Sequence, residues 1–115
     1  MQPENPSKPK RLPDSEVAKA AELVNYQDGS IVSRQIVKKP AGNVTIFAFD
    51  EGQGLSEHTA PFDALVHVIE GETEISVAGQ PYCLHCGEMI LMPAQQPHAL
   101  RALKRFKMIL TMIRS

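Results

Sequence analysis

At 115 residues the chain has the length of one domain, enough to bury a core without disulfides or metals. Apolar residues make up 43% and charged residues 22%, the balance of a globular protein, which excludes disorder along the whole chain. A net charge of -1, 5% aromatics and no tryptophan argue against nucleic acid or an anionic membrane as partner. The longest apolar run, residues 64–69 interrupted by His67, falls far short of the roughly 18–20 residues of a membrane helix.

Residues 1–13 hold four of the nine prolines together with Lys8, Lys10 and Arg11, and predict a flexible tail. The tail has no apolar stretch of the secretory kind, so a cytoplasmic location is expected. Residues 14–115 are expected to form a single domain. Asp14 suits a helix cap and Glu16 sits near the positive helix end. Val17, Ala20, Ala21 and Val24 recur on one face with Leu23 beside them, which predicts a short helix over 14–26 that stops before Gly29.

From Ser30 the periodicity changes to two, and it runs to residue 113. Strands are predicted at 31–37, 44–49, 63–69, 73–77, 82–84, 89–92, 98–103 and 106–113. Turns rich in glycine, proline and asparagine separate them. Eight or nine short strands predict an all-β antiparallel sandwich or barrel. The strands at 63–69 and 106–113 are apolar on both faces. Their outer faces need a cover, from the N-terminal helix or a second subunit, so a homodimer is expected. Met89, Met92, Met108 and Met112 suit the core or an adjustable apolar lining. The basic run Arg101, Lys104, Arg105 and Lys107 reads as a solvated turn between strands.

The two cysteines form one group, Cys83-Leu84-His85-Cys86. The spacing is that of a redox dithiol or half a zinc site, but the βαβ context of the first and the second cysteine pair of the other are missing. His85 lies between the two and does not easily reach a metal shared by both. The simpler reading is two reduced cysteines near a turn, with a solvated His85 and a Cys83 whose facing is open.

The stretch from Gly52 to Gly71, with His58 five residues beyond Gly52, resembles the first signature of the cupin superfamily. Gly87, followed after five residues by Pro93 and then by His98, resembles the second. The segments Ile69-Glu70-Gly71-Glu72 and Met92-Pro93-Ala94 up to Pro97-His98 look like those of small single-domain cupins. The resemblance covers about residues 30–113. It implies a jelly-roll β-barrel with a ligand site in its mouth, here preceded by a short N-terminal helix. It also implies a metal held by three histidines and a glutamate.

The chain departs from that ligand set. Ala60 stands at the second histidine and Ala64 at the glutamate, Gln95 replaces a glycine and Ala102 an asparagine. His58 and His98 remain as tentative metal ligands for a divalent ion such as iron, manganese, nickel or zinc. Two imidazoles alone hold such an ion weakly. Substitute donors are hard to find. Strand parity turns Asp63 and Glu57 away from the barrel, with Asp63 suited to capping backbone N–H groups, and puts His67 on the opposite face from Ala64.

The expected ligand-binding residues are therefore His58 and His98, with Phe62 as an apolar wall and Gln95 on a loop. Two functions compete, beside a third possibility in which the barrel is only a dimer scaffold. One is a small-molecule-binding module with a pocket around the two histidines. The other is a metal-dependent enzyme of oxygenase or isomerase type that uses His58, His98 and a non-standard third ligand such as Cys83, His67 or a substrate atom.

Overall fold

The period-two alternation from residue 31 onward sends successive side chains to opposite sides of an extended backbone, and nearly every such run is a strand. The structure is a computed structural model that describes residues 14–114. The tail expected over 1–13 lies outside the described residues. Among those residues nine strands follow one another: β1 (Ile31–Lys39), β2 (Gly42–Phe49), β3 (Gly54–His58), β4 (Asp63–Glu70), β5 (Glu72–Val77), β6 (Gln80–His85), β7 (Met89–Met92), β8 (His98–Ala102) and β9 (Phe106–Ile113). Strand β3 is not among the strands that the sequence predicts. Its last three residues, Ser56, Glu57 and His58, are all exposed and polar, so they carry no apolar alternation.

All pairings are antiparallel. The strands make two sheets, of order β1-β2-β9-β4-β7 and β3-β8-β5-β6. This is the expected jelly-roll β-barrel. The inner faces meet in one apolar cluster that includes Phe49, Val66, Val68, Phe106 and Met108 from the larger sheet and Ile75, Leu84 and Leu100 from the smaller. Phe49 and Phe106 are wholly buried and stack with ring centroids 4.6 Å apart. Such pairs add stability beyond their buried area.

The outer face of the larger sheet is partly covered by the N-terminal segment, as expected, but not by an α-helix. The segment's helical part is a single 3-10 turn, Ala20–Glu22. Ala20, Leu23, Val24 and Tyr26 pack on Ile46, Ala48, Ile69 and Ile109, whereas Val17 is fully exposed. The carbonyls that a helix would use internally are spent on the sheet. Lys107 Nζ donates to the Ala21 oxygen at 2.5 Å and Arg34 Nη1 to the Leu23 oxygen at 3.4 Å. A segment this short depends on tertiary contacts, and these contacts pull it away from helical geometry.

Lys107 is thus no solvated turn residue: it is 7% exposed, in β9. A register shift between Val68 and Glu70 brings Glu70 opposite Lys107 on the outer face. Glu70 Oε2 lies 3.4 Å from Lys107 Nζ and accepts from the Tyr26 hydroxyl at 2.8 Å. The Lys107 ammonium also lies 4.9 Å from the centroid of the Tyr26 ring.

A second clasp closes the opposite end of the segment. Asp50 accepts from Arg105 Nε at 2.7 Å and from the backbone N–H groups of Gly29 and Glu51. The Arg105 guanidinium, followed by these two amides, pulls the Asp50 carboxyl down to about 2. In the unfolded chain it titrates at roughly 3.9. The carboxylate therefore adds stability above that value and loses it as pH falls from about 4 to about 2. We expect Asp50→Asn to lower the thermal midpoint at neutral pH, with the gap to the parent closing across that window. An equal gap at pH 7 and pH 2 would assign the loss to something other than this carboxylate.

Candidate functional site

In a regular strand, residues three apart face opposite sides. Leu55 and His58 nevertheless both point into the barrel. Between their partners Leu100 and His98 lies one residue of β8, while two residues of β3 span the same distance. This bulge re-aims the end of β3 and sets His58 directly opposite His98.

The pair is tightly specified. The two Nε2 atoms are 3.2 Å apart and the rings meet edge to face at 67°. Each Nδ1 donates to a backbone carbonyl two residues back, His58 to Ser56 at 2.8 Å and His98 to Gln96 at 3.2 Å. A carbonyl only accepts, so both Nδ1 atoms carry hydrogen. Burial holds the His98 imidazole below its ordinary value; the bond to Gln96 pulls the other way, and the neighbouring His58 pushes down again. With hydrogen on both Nδ1 atoms, the two Nε2 atoms face each other as the remaining hydrogen-bonding positions of the rings. The arrangement is completed by one proton, one donor group or one cation placed between them.

The pair stands in a cavity of about 280 Å3 between the sheets. Phe62, Met92, Leu100, Met108 and Met112 form most of its walls, and Ala60 and Ala64 contribute only methyl groups. Among the described residues, His58, His98 and Thr59 are the only polar side chains in the lining. The four-donor metal set implied by the family resemblance therefore does not fit: half of it is alanine, and no carboxylate of the described residues lines the cavity.

The substitute donors all lie elsewhere. Asp63 accepts from the Ala94 N–H at 2.8 Å, the capping role expected of it. His67 shares the outward side of β4 with Leu65, opposite the buried Ala64 and Val66. Cys83 is exposed on β6, whose inward residue there is Leu84. Of the remaining expected contacts, Phe62 lines the cavity and Gln95 does not. Gln95 is exposed, takes a positive φ of 67° and donates its backbone N–H to the Ala60 oxygen at 2.8 Å. Its place is to hold the mouth loop. Met89 lies outside the lining too, 54% exposed. Sequence alone does not separate core from lining for Met92, Met108 and Met112, and all three wall the cavity together with Leu100 and Leu110.

Cys83 and Cys86 are free and exposed. Cys86 donates to the Ile69 carbonyl at 3.2 Å, and Cys83 to Glu72 Oε1 at 3.4 Å. Desolvation of the sulfur, then the Glu72 bond and the charges of Glu72, Glu88 and Glu74, push the Cys83 thiol up. That is the opposite of an activated thiolate, so a redox dithiol gains no support.

Residues 45–114 match the family of the cupin domain. Among solved structures, the chain is similar to a conserved protein of unknown function from Streptococcus pyogenes, at 29% identity and a TM-score of 0.88 over 96% of this chain and 98% of that one. A cupin 2 conserved barrel domain protein from Leptotrichia buccalis is 43% identical, with a TM-score of 0.79, over 82% of this chain and 46% of its own. A cupin superfamily protein from Desulfitobacterium hafniense shares the fold at 24% identity and a TM-score of 0.86, over 95% of this chain and 100% of that one. No curated protein matches the chain.

Proposed function

The chain belongs to the cupin family, and from that premise we propose that it binds a small, mainly apolar molecule bearing one proton-donating group. The observation that carries this reading is the pair of Nε2 atoms, 3.2 Å apart, in a mainly apolar cavity. A carboxylic acid or phenol suits it. The acidic hydrogen is shared with or passed to the imidazoles, and the apolar body replaces water against the methionine and phenylalanine walls. The volume, about 280 Å3, lies just below the roughly 300–1,000 Å3 of small-molecule pockets and suits a single ring or a short branched chain.

The test is a thermal-shift panel of short branched carboxylic acids, aromatic acids and phenols, followed by calorimetry. We expect a rise in the melting midpoint that grows with concentration. His58→Ala and His98→Ala are each expected to weaken the best binder at least about tenfold, roughly 1.4 kcal/mol. A panel that leaves the midpoint unmoved throughout would sink the reading.

One observation favours a second reading. The same 3.2 Å separation suits two cis ligands on one divalent ion, since Zn–N bonds of about 2.0–2.1 Å set two nitrogens about 3.3 Å apart. Both Nδ1 atoms are anchored as in metal-ligating histidines. A third donor then has to come from the substrate. Elemental analysis after metal addition and desalting separates the two readings: stoichiometric retention that is lost in His58→Ala favours the metal.

We further infer that a second copy covers the open part of the larger sheet. No helix among the described residues is long and apolar enough to cross a membrane. Yet Met89, Leu91 and Ile113 are 54%, 56% and 58% exposed, and Leu65 pairs with Leu91 beside them. Exposed apolar side chains grouped on one sheet face support an interaction surface there. Light scattering is expected to give a dimer for the parent and a monomer for Leu91→Glu. A monomeric parent at all concentrations would exclude this interface.

A further inference from the structure

We propose that the outer face of the smaller sheet carries a zinc site built from Glu72, Cys83 and His85. The site shares no residue with the barrel cavity and rests on separate observations.

The strand register brings the three together. Cys83 and His85 are two apart on β6 and so share a face, and His85 pairs directly with Glu72 of β5. One ligand atom from each lies within 4.8 Å of the others. Glu72 Oε1 is 3.4 Å from Cys83 Sγ and 3.6 Å from His85 Nε2. Tetrahedral zinc, with Zn–S of about 2.3 Å and Zn–N of about 2.0–2.1 Å, spaces its donors about 3.3–3.6 Å apart. The two separations from Glu72 already match this spacing, and all three donors lie within 4.8 Å of one another.

A second feature singles out His85 as a ligand. Glu88 Oε1 accepts both the backbone N–H of His85, at 2.7 Å, and its ring Nδ1, at 3.2 Å. That carboxylate fixes the tautomer and leaves the Nε2 lone pair toward Glu72 and Cys83. A carboxylate behind a histidine is the usual support of a zinc-bound imidazole. The ion also answers the local charge. Glu72 and Glu74 lie opposite His85 and Cys83 in the strand register and Glu88 bonds His85, so three carboxylates surround the cluster and a divalent cation offsets their charge. On binding, the Cys83 S–H gives its proton to solvent and the sulfur bonds to zinc. Thiolate and imidazole together select zinc over magnesium or calcium. His85 is 61% exposed, so water takes the fourth position.

The experiment uses the full, reduced chain and Co2+ as a spectroscopic stand-in for Zn2+. One equivalent of Co2+ is expected to give a near-ultraviolet thiolate-to-metal charge-transfer absorption that Zn2+ abolishes by displacement. Cys83→Ser is expected to remove the band, and His85→Ala and Glu72→Gln to weaken zinc binding in a chelator competition. Glu88→Gln is expected to weaken it about 10–100-fold through misorientation of the imidazole. Cys86→Ser and the double variant His58→Ala/His98→Ala are expected to keep the band, which separates this site from the barrel pair. The proposal is overturned if no band forms, if the band survives Cys83→Ser, or if His85→Ala and Glu72→Gln leave zinc affinity unchanged.

Discussion

Gly71→Ala is expected to remove about 2–5 kcal/mol of stability, a large share of what holds a domain of this size together. Gly71 is the one residue between β4 and β5, where the chain leaves the larger sheet for the smaller, and it does so at a φ of 79°. A side chain there meets two penalties. The left-handed backbone alone costs roughly 1–2 kcal/mol for an L-residue. The added Cβ also comes within 1.9 Å of the Arg105 carbonyl oxygen and 2.7 Å of the Phe106 Cα. These are main-chain atoms with no room to yield. Phe106 is stacked in the core against Phe49, and Arg105 is held by Asp50 and Asp28. Gly79 is the control. Its φ is 81°, but nothing lies within 4 Å of its Cβ position. Gly79→Ala is expected to cost only the backbone penalty, about 1–2 kcal/mol. Urea unfolding of both variants checks this. Equal losses would mean that the close approach at Gly71 is relieved by a movement the packing does not suggest.

The same residue shows how the sequence speaks about this fold. Gly71 was legible as a turn from its place between two alternating runs, and so were most strands, because one buried face imposes period two. Met89–Met92 and Phe106–Ile113 run over the expected residues. What was not legible depends on partners far along the chain. The segment from Asp14 has the apolar spacing of a helix, but its carbonyls are claimed by Arg34 and Lys107, and Lys107 is 86 residues from Ala21. Strand β3 is hidden because its polar end sits at the mouth of the barrel.

The site divides along the same line. The alanines at 60 and 64 are visible in the signature itself, and so is the poverty of donors that follows. Parity correctly turned Asp63 and His67 away from the cavity. It does not explain why Leu55 and His58 share a face, because the bulge opposite Ala99 exists only in the pairing with β8. The Glu72–His85 pairing was closer to the surface of the sequence. The tight turn at Ala78 and Gly79 sets Val77 opposite Gln80, and counting back five residues on each side reaches Glu72 and His85. The signal was there in the turn. The cysteine pair drew attention to itself instead, and Cys86 proves to bond elsewhere.

The largest gain of function is expected from refilling the two alanines. Ala60 and Ala64 both line the cavity beside His58 and His98, and Ala64 is only 2% exposed. In the double variant Ala60→His/Ala64→Glu, two further donors join two imidazoles whose Nδ1 atoms are already tied down. Loss of a single supporting contact costs a metal site about 10–100-fold in affinity, so two added ligands should gain at least about 100-fold over the parent. The cavity of about 280 Å3 leaves space for them, so overpacking is not the obstacle. Electrostatics is: a carboxylate placed against Met92 and Met112, which flank Ala64 on the neighbouring strands, is costly without a cation. The metal-free double variant is therefore expected to melt below the parent and to recover when Mn2+ or Zn2+ is added. A metal at 100 times its dissociation constant contributes about 2.7 kcal/mol. Adding His58→Ala in that background should abolish the recovery, which ties the gain to the barrel and not to the cysteine face of the smaller sheet. A folded double variant that binds metal no better than the parent would show that residues 60 and 64 do not aim at the point where the two Nε2 atoms converge. The apolar reading of the cavity would then stand without any vestige of a metal centre behind it.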